Sequence, residues 1–163
     1  MMNKLIHKKV IIILLILIIL LGFGFASLIY LDNSIVRKVD ISDMKKNVAD
    51  VQFTIDSVNN DENSNYISIR GWALKKGANI STVECYVGLI NTSTNEYYKL
   101  NTVKEDRPDV TSHFNDGFNY DKSGLYSQFS MKRVEKGKYE IVLLYLSDNN
   151  NILVHTGKTI SIL

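Results

Sequence analysis

The stretch VQFTIDSV, residues 51–58, alternates apolar and polar side chains. Val51, Phe53 and Ile55 share one parity, and a polar residue follows each of them. Successive side chains of an extended chain point to opposite faces. This period of two therefore predicts a β-strand with one buried face.

Comparable stretches continue to the end of the chain. They are NYISIRGWAL, STVECYVGLI, NEYYKLNTV, LYSQFSM, KYEIVLLYL and NILVHTGKTISIL. Turns rich in Asn, Asp, Ser and Gly separate them, and no long helical pattern intervenes, which argues against a parallel α/β sheet. We expect an all-β domain over residues 51–163, an Ig-like antiparallel β-sandwich of about seven strands.

Residues 10–31, VIIILLILIILLGFGFASLIYL, carry no charge. As a helix they would extend about 33 Å, enough for a hydrocarbon core of about 30 Å. A run without a polar face is unsuited to a globular surface helix, and this one is longer than the apolar region of a cleaved signal peptide. We expect an uncleaved signal-anchor, one N-terminal transmembrane helix in the cell membrane.

Basic residues before the apolar run bear on its orientation. Lys4, Lys8 and Lys9 precede it and favour a cytoplasmic N-terminus, although bases that follow the run weaken the bias. The expected organisation is a cytoplasmic tail (1–9), the anchor (10–31), a juxtamembrane stalk (32–50) and an extracytoplasmic domain (51–163). The stalk is compatible with a short helix or with an added first strand at VRKVDIS.

Charge and cysteine content narrow the classes of partner. The chain has 19 Lys and Arg against 17 Asp and Glu. No basic patch stands out, so nucleic acid is not an expected partner. The single Cys85 excludes an internal disulfide. Its alternation with Val83 and Val87 predicts a small buried side chain rather than a reactive thiol.

The stretch KEDRPDVTSHFNDGFNYDKSGL, residues 104–125, gathers many polar side chains. No GxSxG, HExxH, Walker or CxxC motif accompanies it, so we expect no catalytic residues and no enzymatic activity. Asn115, Asn119 and Asp121 surround Gly117 with oxygen atoms, a weak candidate for calcium. The closing bidentate Glu of an EF-hand loop is missing, and we expect no metal ion or cofactor.

The same stretch fits a structural loop best. Pro108 pushes Arg107 toward extended geometry. The guanidinium fork of Arg107 is suited to a carboxylate or to loop carbonyls and could pin the loop to the sheet. Asp106 or Asp109 is expected to cap a short helical turn.

Apolar residues and glycines complete this loop. Gly117 and Gly124 are expected to occupy turns with positive φ. Trp72, the only tryptophan, is expected to be a core anchor packed between the sheets. The expected apolar underside of the loop consists of Val110, Phe114, Phe118 and Tyr120.

Four segments together carry a family resemblance. They are IRGWALKKG, RPDV, YDKSGL and KGKYEIVLLYLSDNN. In this order and spacing they resemble an Ig-like module of bacterial surface and cell-envelope proteins, with Leu125 where that module usually has Phe. The resemblance implies a β-sandwich at the envelope, often beside polysaccharide-handling proteins, and no defined activity. The landmarks it marks as structural are Trp72, Arg107, Pro108, Asp109, Ser123 and Gly124.

The abundant tyrosines suggest a ligand. Flat rings stack on sugar faces, and the candidates are Tyr97, Tyr98, Tyr120 and Tyr126. Besides the lipid bilayer, the expected partner is thus a cell-wall glycan or an envelope protein. A glycan-binding or scaffolding module predicts exposed rings in one row. A protein-interaction subunit predicts a free sheet edge or an apolar patch, and a hydrolase, the least favoured class, predicts close paired carboxylates.

Overall fold

The computed structural model of the protein describes residues 2–33, 36–46, 51–61, 64–80, 84–146 and 151–163. The chain forms two units, Met1–Ser34 and Ile35–Leu163. The first contains helix α1 (Met2–Asn33), and the second contains helix α2 (Pro108–Phe114) and the strands. The strands are β1 (Arg37–Lys38), β2 (Lys45–Lys46), β3 (Val51–Asp61), β4 (Tyr66–Lys75), β5 (Glu84–Asn91), β6 (Tyr97–Lys99), β7 (Thr102–Glu105), β8 (Gly124–Ser130), β9 (Gly137–Leu146) and β10 (Ile152–Ile162).

Helix α1 is apolar through most of its length. Its segment Lys8–Ile29 spans 22 residues with a mean hydropathy of 3.1, and none of it is buried in the structure. A helix of this length and composition can cross a bilayer. The expected N-terminal apolar helix is therefore present. Its roles as uncleaved anchor and as divider between a cytoplasmic tail and an extracytoplasmic domain stay predictions.

Two sheets form the second unit. The large sheet has six strands in the order β1-β6-β5-β9-β10-β2, and the small sheet has four in the order β3-β4-β8-β7. Neighbouring strands are antiparallel except for the short pair of β2 with β10, which is parallel. The predicted mostly-β, sandwich-like architecture is therefore confirmed. An Ig-like identity stays a prediction.

The described residues form ten strands, against the expected number of about seven. Two of the additional strands, β1 and β2, are only two residues long. Another arises because the stretch NEYYKLNTV divides into β6 and β7, which belong to different sheets. The sequence pattern is continuous there, because both halves keep the same alternation of side chains.

The core lies between the two sheets. Alternate residues of every long strand point into it, as the period of two requires. Its most deeply buried members are Ile67, Ile69, Leu89, Leu100, Leu125, Tyr139, Ile141 and Leu143. Cys85 is buried among them and is a free thiol.

The chain crosses from the large to the small sheet between β6 and β7. The Leu100 amide donates to the Val87 carbonyl at 2.9 Å, and the Val87 amide donates to Thr102 Oγ1 at 2.9 Å. Thr102 Oγ1 also lies 2.8 Å from Ser127 Oγ on β8. These bonds tie the two sheets together along this side of the sandwich.

The segment 36–46, here called the strap, belongs to the large sheet. β1 pairs with β6 at one edge, and β2 pairs with β10 at the other. Between them, Val39, Ile41 and Met44 cover an apolar cluster on the outer face of the sheet. That cluster consists of Ile90, Val142, Leu144 and Leu153. The sequence of the stalk is compatible with a short helix or an added strand, and its described residues form short strands. The folded unit therefore begins well before residue 51.

Candidate functional site

A β-bulge on β3 sets the position of a key carboxylate. The register of β3 with β4 shifts between Ile55 and Ser57, which leaves Asp56 without a partner on β4. Opposite Ile55 lies Gly71, where a Cβ atom would stand 2.3 Å from the Thr54 carbonyl oxygen. Only glycine permits this close approach, and the bulge re-aims the Asp56 side chain toward the loop.

Arg107 connects the loop 106–123 to the small sheet. Its Nη1 donates to Asp56 Oδ2 at 2.6 Å, while Nε and Nη2 donate to the Asp109 carboxylate at 2.9 and 2.7 Å. Its backbone amide donates to the Asp121 carbonyl at 2.6 Å. The hydrogen bond to Asp109 raises the pKa of Arg107 and lowers the pKa of Asp109. The geometry is the tether that the sequence predicts.

The start of α2 differs from the expectation. The N-cap residue is Arg107, and no side chain caps the helix. Asp106 instead pairs with Lys122 at 2.5 Å, and Asp109 faces Arg107. Both carboxylates pair with a cation, since an ionised donor makes the stronger hydrogen bond. The prediction of an aspartate cap is therefore wrong.

The loop packs a small core of its own on the outer face of the small sheet. Val110 and Tyr120 are buried against Leu74, with Phe114 and Ile80 around them. The Tyr120 hydroxyl accepts from the Gly77 amide at 2.9 Å and donates to Asp116 Oδ2 at 2.8 Å. Phe118 stacks on Tyr120 but is 37% exposed.

Trp72 belongs to this outer cluster and not to the space between the sheets. It is half-buried and meets the Phe114 ring edge to face, with centroids 5.9 Å apart. Its parity on β4 is that of Arg70 and Leu74, whereas Ile69 and Ala73 point into the main core. The prediction that Trp72 is an anchor between the sheets is therefore wrong, because this alternation places its side chain on the outer face.

Gly124 also departs from its prediction. Its φ is −65°, an ordinary extended conformation, whereas Gly117 has the expected positive φ of 88°. A Cβ atom on Gly124 would stand 2.4 Å from the Glu105 carbonyl oxygen and 2.8 Å from Arg107 Cγ. Glycine is required here for close packing under Arg107 rather than for a turn.

Ser123, the landmark before Gly124, is fully buried. Its Oγ has no hydrogen-bond partner within the part of the chain that the structure describes. A buried hydroxyl without a partner is destabilising, since it has lost its bonds to water. The structure provides no physical account of why serine occupies this position.

The oxygen atoms proposed for calcium serve the loop itself. Asn119 Oδ1 accepts from the Asp121 amide at 2.9 Å, and Asp121 Oδ1 accepts from Thr111 Oγ1 at 2.6 Å. Asn115 ends α2 in the left-handed region with φ of 43°. Over the described residues, no group of three or more His, Cys, Asp or Glu side chains is placed to hold a metal ion.

The four candidate tyrosines lie on different surfaces. Tyr97 packs against the outer cluster of the large sheet, and Tyr98 packs against the main core and donates to Glu96 at 2.7 Å. Tyr120 is fully buried beneath the loop. Tyr126 lies on the outer face of the small sheet, with the Arg70 guanidinium 4.8 Å from its ring centroid. The rings do not form one row, and Tyr120 cannot stack on a ligand.

One open surface remains beside the loop, which we call the outer platform. It is the part of the small sheet's outer face that carries Arg70, Trp72, Val103, Glu105 and Tyr126. Cross-strand pairing places Arg70, Tyr126 and Val103 in one row, and Trp72 and Glu105 flank Gly124 in the next. Arg70 Nη2 reaches Glu105 Oε1 at 3.5 Å across the Tyr126 strand.

Two features of the platform are chemically useful. The half-buried rings of Trp72 and Tyr126 offer apolar surface, while a guanidinium and a carboxylate offer donors and acceptors. Val103 is 56% exposed at the edge of the sheet. Periodicity could have identified the face, because Arg70, Trp72 and Leu74 share a parity that differs from that of Ile67 and Ile69.

The remaining reactive groups include a buried thiol and two paired carboxylates. Burial raises the pKa of the Cys85 thiol to about 12, which keeps it protonated and unreactive at neutral pH. Around Arg107, the carboxylates of Asp56 and Asp109 are held in charge pairs. Comparison with family models, characterised proteins and solved structures found no match. The resemblance to an Ig-like envelope module therefore rests on its sequence landmarks.

Proposed function

We propose that this chain is a single-pass membrane protein that presents an accessory binding module at the outside of a bacterial cell envelope. Its ligand is a glycan or cell-wall polymer that binds across the outer platform. The observation that carries this function is the open sheet face with Tyr126, Trp72 and the Arg70–Glu105 pair. Half-buried rings next to paired polar groups are suited to sugar recognition.

The position of the loop supports this assignment. The loop stands beside the platform. Arg107 binds Asp56 on β3, and the apolar core of the loop holds it in place as well. A rigid wall next to a flat face limits the ordering cost of binding, because few side chains need to be immobilised. The helical span Lys8–Ile29 supports the membrane anchor. Lys4, Lys8 and Lys9, which precede the uncharged run of residues 10–31, support the outward orientation of the domain.

The experiment is binding of the full-length chain, held in nanodiscs of zwitterionic lipid, to purified cell-wall polysaccharide from the host. Tyr126→Leu keeps an apolar side chain but removes the flat ring. We expect its affinity to fall about tenfold, the change of about 1.4 kcal/mol expected for one lost stacking ring. Gln128→Ala, exposed two residues further along β8, is the matched control and should bind normally. Equal affinity of all three proteins would refute the platform as the glycan site.

A second candidate function has its own observation. Val103 lies on β7, the four-residue edge strand of the small sheet, and is 56% exposed. An exposed apolar residue on an edge strand is suited to a protein partner in the envelope. Loss of a co-purified partner in Val103→Lys, without any polysaccharide binding by the wild type, would favour this function over glycan binding.

A further inference from the structure

A basic groove lies at the connection between the two sheets. β8 ends at Ser130, a 3-10 turn covers Met131–Arg133, and β9 begins at Gly137. The groove formed there has a volume of about 550 Å³. Its rim carries Lys132, Arg133 and Lys136.

The backbone of this connection is held firmly. The Met131 amide donates to the Asn65 carbonyl at 2.9 Å, and the Tyr139 hydroxyl donates to the Glu135 carbonyl at 2.8 Å. Val134 is buried in the main core, with an exposure of 8%. The cations therefore project from a fixed base, and their backbone needs no ordering when a ligand binds.

Within the described part of the chain, the basic side chains of the groove lack the carboxylate partners that several other basic side chains have. Over the described residues, Lys132, Arg133 and Lys136 have no carboxylate within 4.0 Å, whereas Arg70 and Lys122 each have one. All three are exposed. The side-chain carboxylate of Glu135 shares the groove with them. This concentration of unpaired positive charge attracts an anionic ligand.

The shape and the residue types narrow the ligand class. Met131, Val134 and Ile162 supply an apolar floor under the charged rim. A concave groove accepts an extended chain better than it accepts a flat lipid surface. The arginine fork matches the oxygen geometry of phosphate, and lysine contributes point charge. We propose that this groove binds an extended polymer with phosphate groups, through Lys132, Arg133 and Lys136.

Sequence reasoning missed this site, although the signal MKRVEKGK is contiguous. Four basic residues within eight do not by themselves predict an anion site, because half of their side chains could pair with carboxylates. The tertiary structure gathers three of them on one rim. The groove shares no residue with the outer platform, so each site can fail independently of the other.

The test is titration of the full-length chain, in nanodiscs of zwitterionic lipid, with fluorescent inorganic polyphosphate. Two variants remove the same charge. Lys132→Gln/Arg133→Gln changes the groove, while Lys75→Gln/Lys76→Gln changes two exposed lysines at the end of β4. We expect the groove variant to bind at least about tenfold more weakly and the control to stay within about twofold. The slope of log affinity against log salt should fall by about two for the groove variant, one for each lost cation contact.

Three results would overturn the assignment. Equal losses in both variants would show attraction to net charge alone. Tighter binding of polyglutamate than of polyphosphate, at equal charge, would exclude phosphate as the preferred group. Phosphatidylglycerol vesicles and free polyphosphate are compared as competitors. If the vesicles displace the bound polyphosphate at the lower anion concentration, the surface is a membrane contact.

Discussion

Arg107 is the residue on which the loop depends most. Its guanidinium is 23% exposed and contacts Asp56 on β3 and Asp109 on α2. No other described side chain joins the loop to β3 through an ion pair. The connection requires the bulge at Asp56, which in turn requires Gly71. The Arg107 side chain therefore links the loop to the β-bulge of β3, which is distant in the sequence.

We expect Arg107→Ala to lower the free energy of unfolding by about 1–2 kcal/mol, since it removes charge-assisted bonds from a partly screened site. Thermal and denaturant unfolding measure the change. Lys122→Ala is the control, because it breaks an equally short pair whose side chains are 64% and 66% exposed. It should cost less than about 0.5 kcal/mol. Unchanged melting of Arg107→Ala would exclude the tether.

The Arg107–Asp109 pair should also make stability depend on pH. The bond from Arg107 lowers the pKa of Asp109 below its ordinary value of 3.8. A lowered pKa of an acid stabilises the folded state above the ordinary value, and the contribution is lost as pH falls through the lowered value. We expect the difference in melting temperature between wild type and Asp109→Asn to be constant above about pH 5 and to shrink below about pH 4. A difference that grows on acidification would contradict this sign.

Two buried serines provide a matched comparison. Ser123 Oγ has no partner among the described atoms, whereas Ser127 Oγ bonds Thr102. Ser123→Ala should be neutral or stabilising by up to about 1 kcal/mol, because it removes an unsatisfied hydroxyl. Ser127→Ala should destabilise by about 1 kcal/mol. Chemical denaturation distinguishes them, and a larger loss for Ser123→Ala would indicate a partner for its hydroxyl.

At the scale of elements, close approach of strands decides where side chains fit. β7 and β8 meet at Glu105 and Gly124, under the Arg107 stem. The strap likewise occupies a defined place, across the outer cluster of the large sheet between β6 and β10. Both arrangements involve segments that are distant in the sequence. Local propensity therefore contributes little to them.

Gly124→Ala should be among the more damaging single-methyl additions in the protein. The new Cβ would lie 2.4 Å from a backbone oxygen, so β7 or β8 must move. We expect a loss of about 2–3 kcal/mol. Gly117→Ala meets open space and suffers only from its φ of 88°, at a cost of about 1 kcal/mol. Similar losses for both in urea unfolding would count against the close contact.

The strap should protect the outer face of the large sheet. Ile41→Asp places a charge against the cluster of Val142, Leu144 and Leu153. Hydrogen exchange should then accelerate over the strap and at the edge of β10, while the small sheet stays protected. Ser42→Asp, at an exposed neighbouring position, is the control. Unaltered exchange in Ile41→Asp would show that the strap is not held by its apolar contacts.

At the scale of the whole molecule, the proposed membrane anchor and outward-facing domain make a direct prediction. Gln128→Cys introduces an exposed thiol on β8, whereas the native Cys85 is buried. A membrane-impermeant maleimide should label Gln128→Cys in intact cells and leave the wild type unlabelled. The labelled chain should remain with membranes through alkaline carbonate extraction. Labelling only after cells are permeabilised would place the domain in the cytoplasm.

The sequence by itself determined the secondary structure and the main division of the chain. Alternation from Val51 onward and the uncharged run of residues 10–31 each depend on neighbouring residues alone, because strand and helix periods are local properties. The local pair of Arg107 with Asp109 was also within reach, since the two residues are two positions apart, whereas the partner on β3, Asp56, is distant in the sequence.

Only the tertiary structure decided which outward-facing side chains of different strands became neighbours. Trp72 and Tyr126 share an outer surface because β4 and β8 pair in one register, and a shift of one residue would exchange the faces. The division of one alternating stretch into β6 and β7 and the direction of the Asp56 side chain arise in the same way. All are contacts between segments far apart in the chain, and their free energy depends on the packing of the whole sandwich.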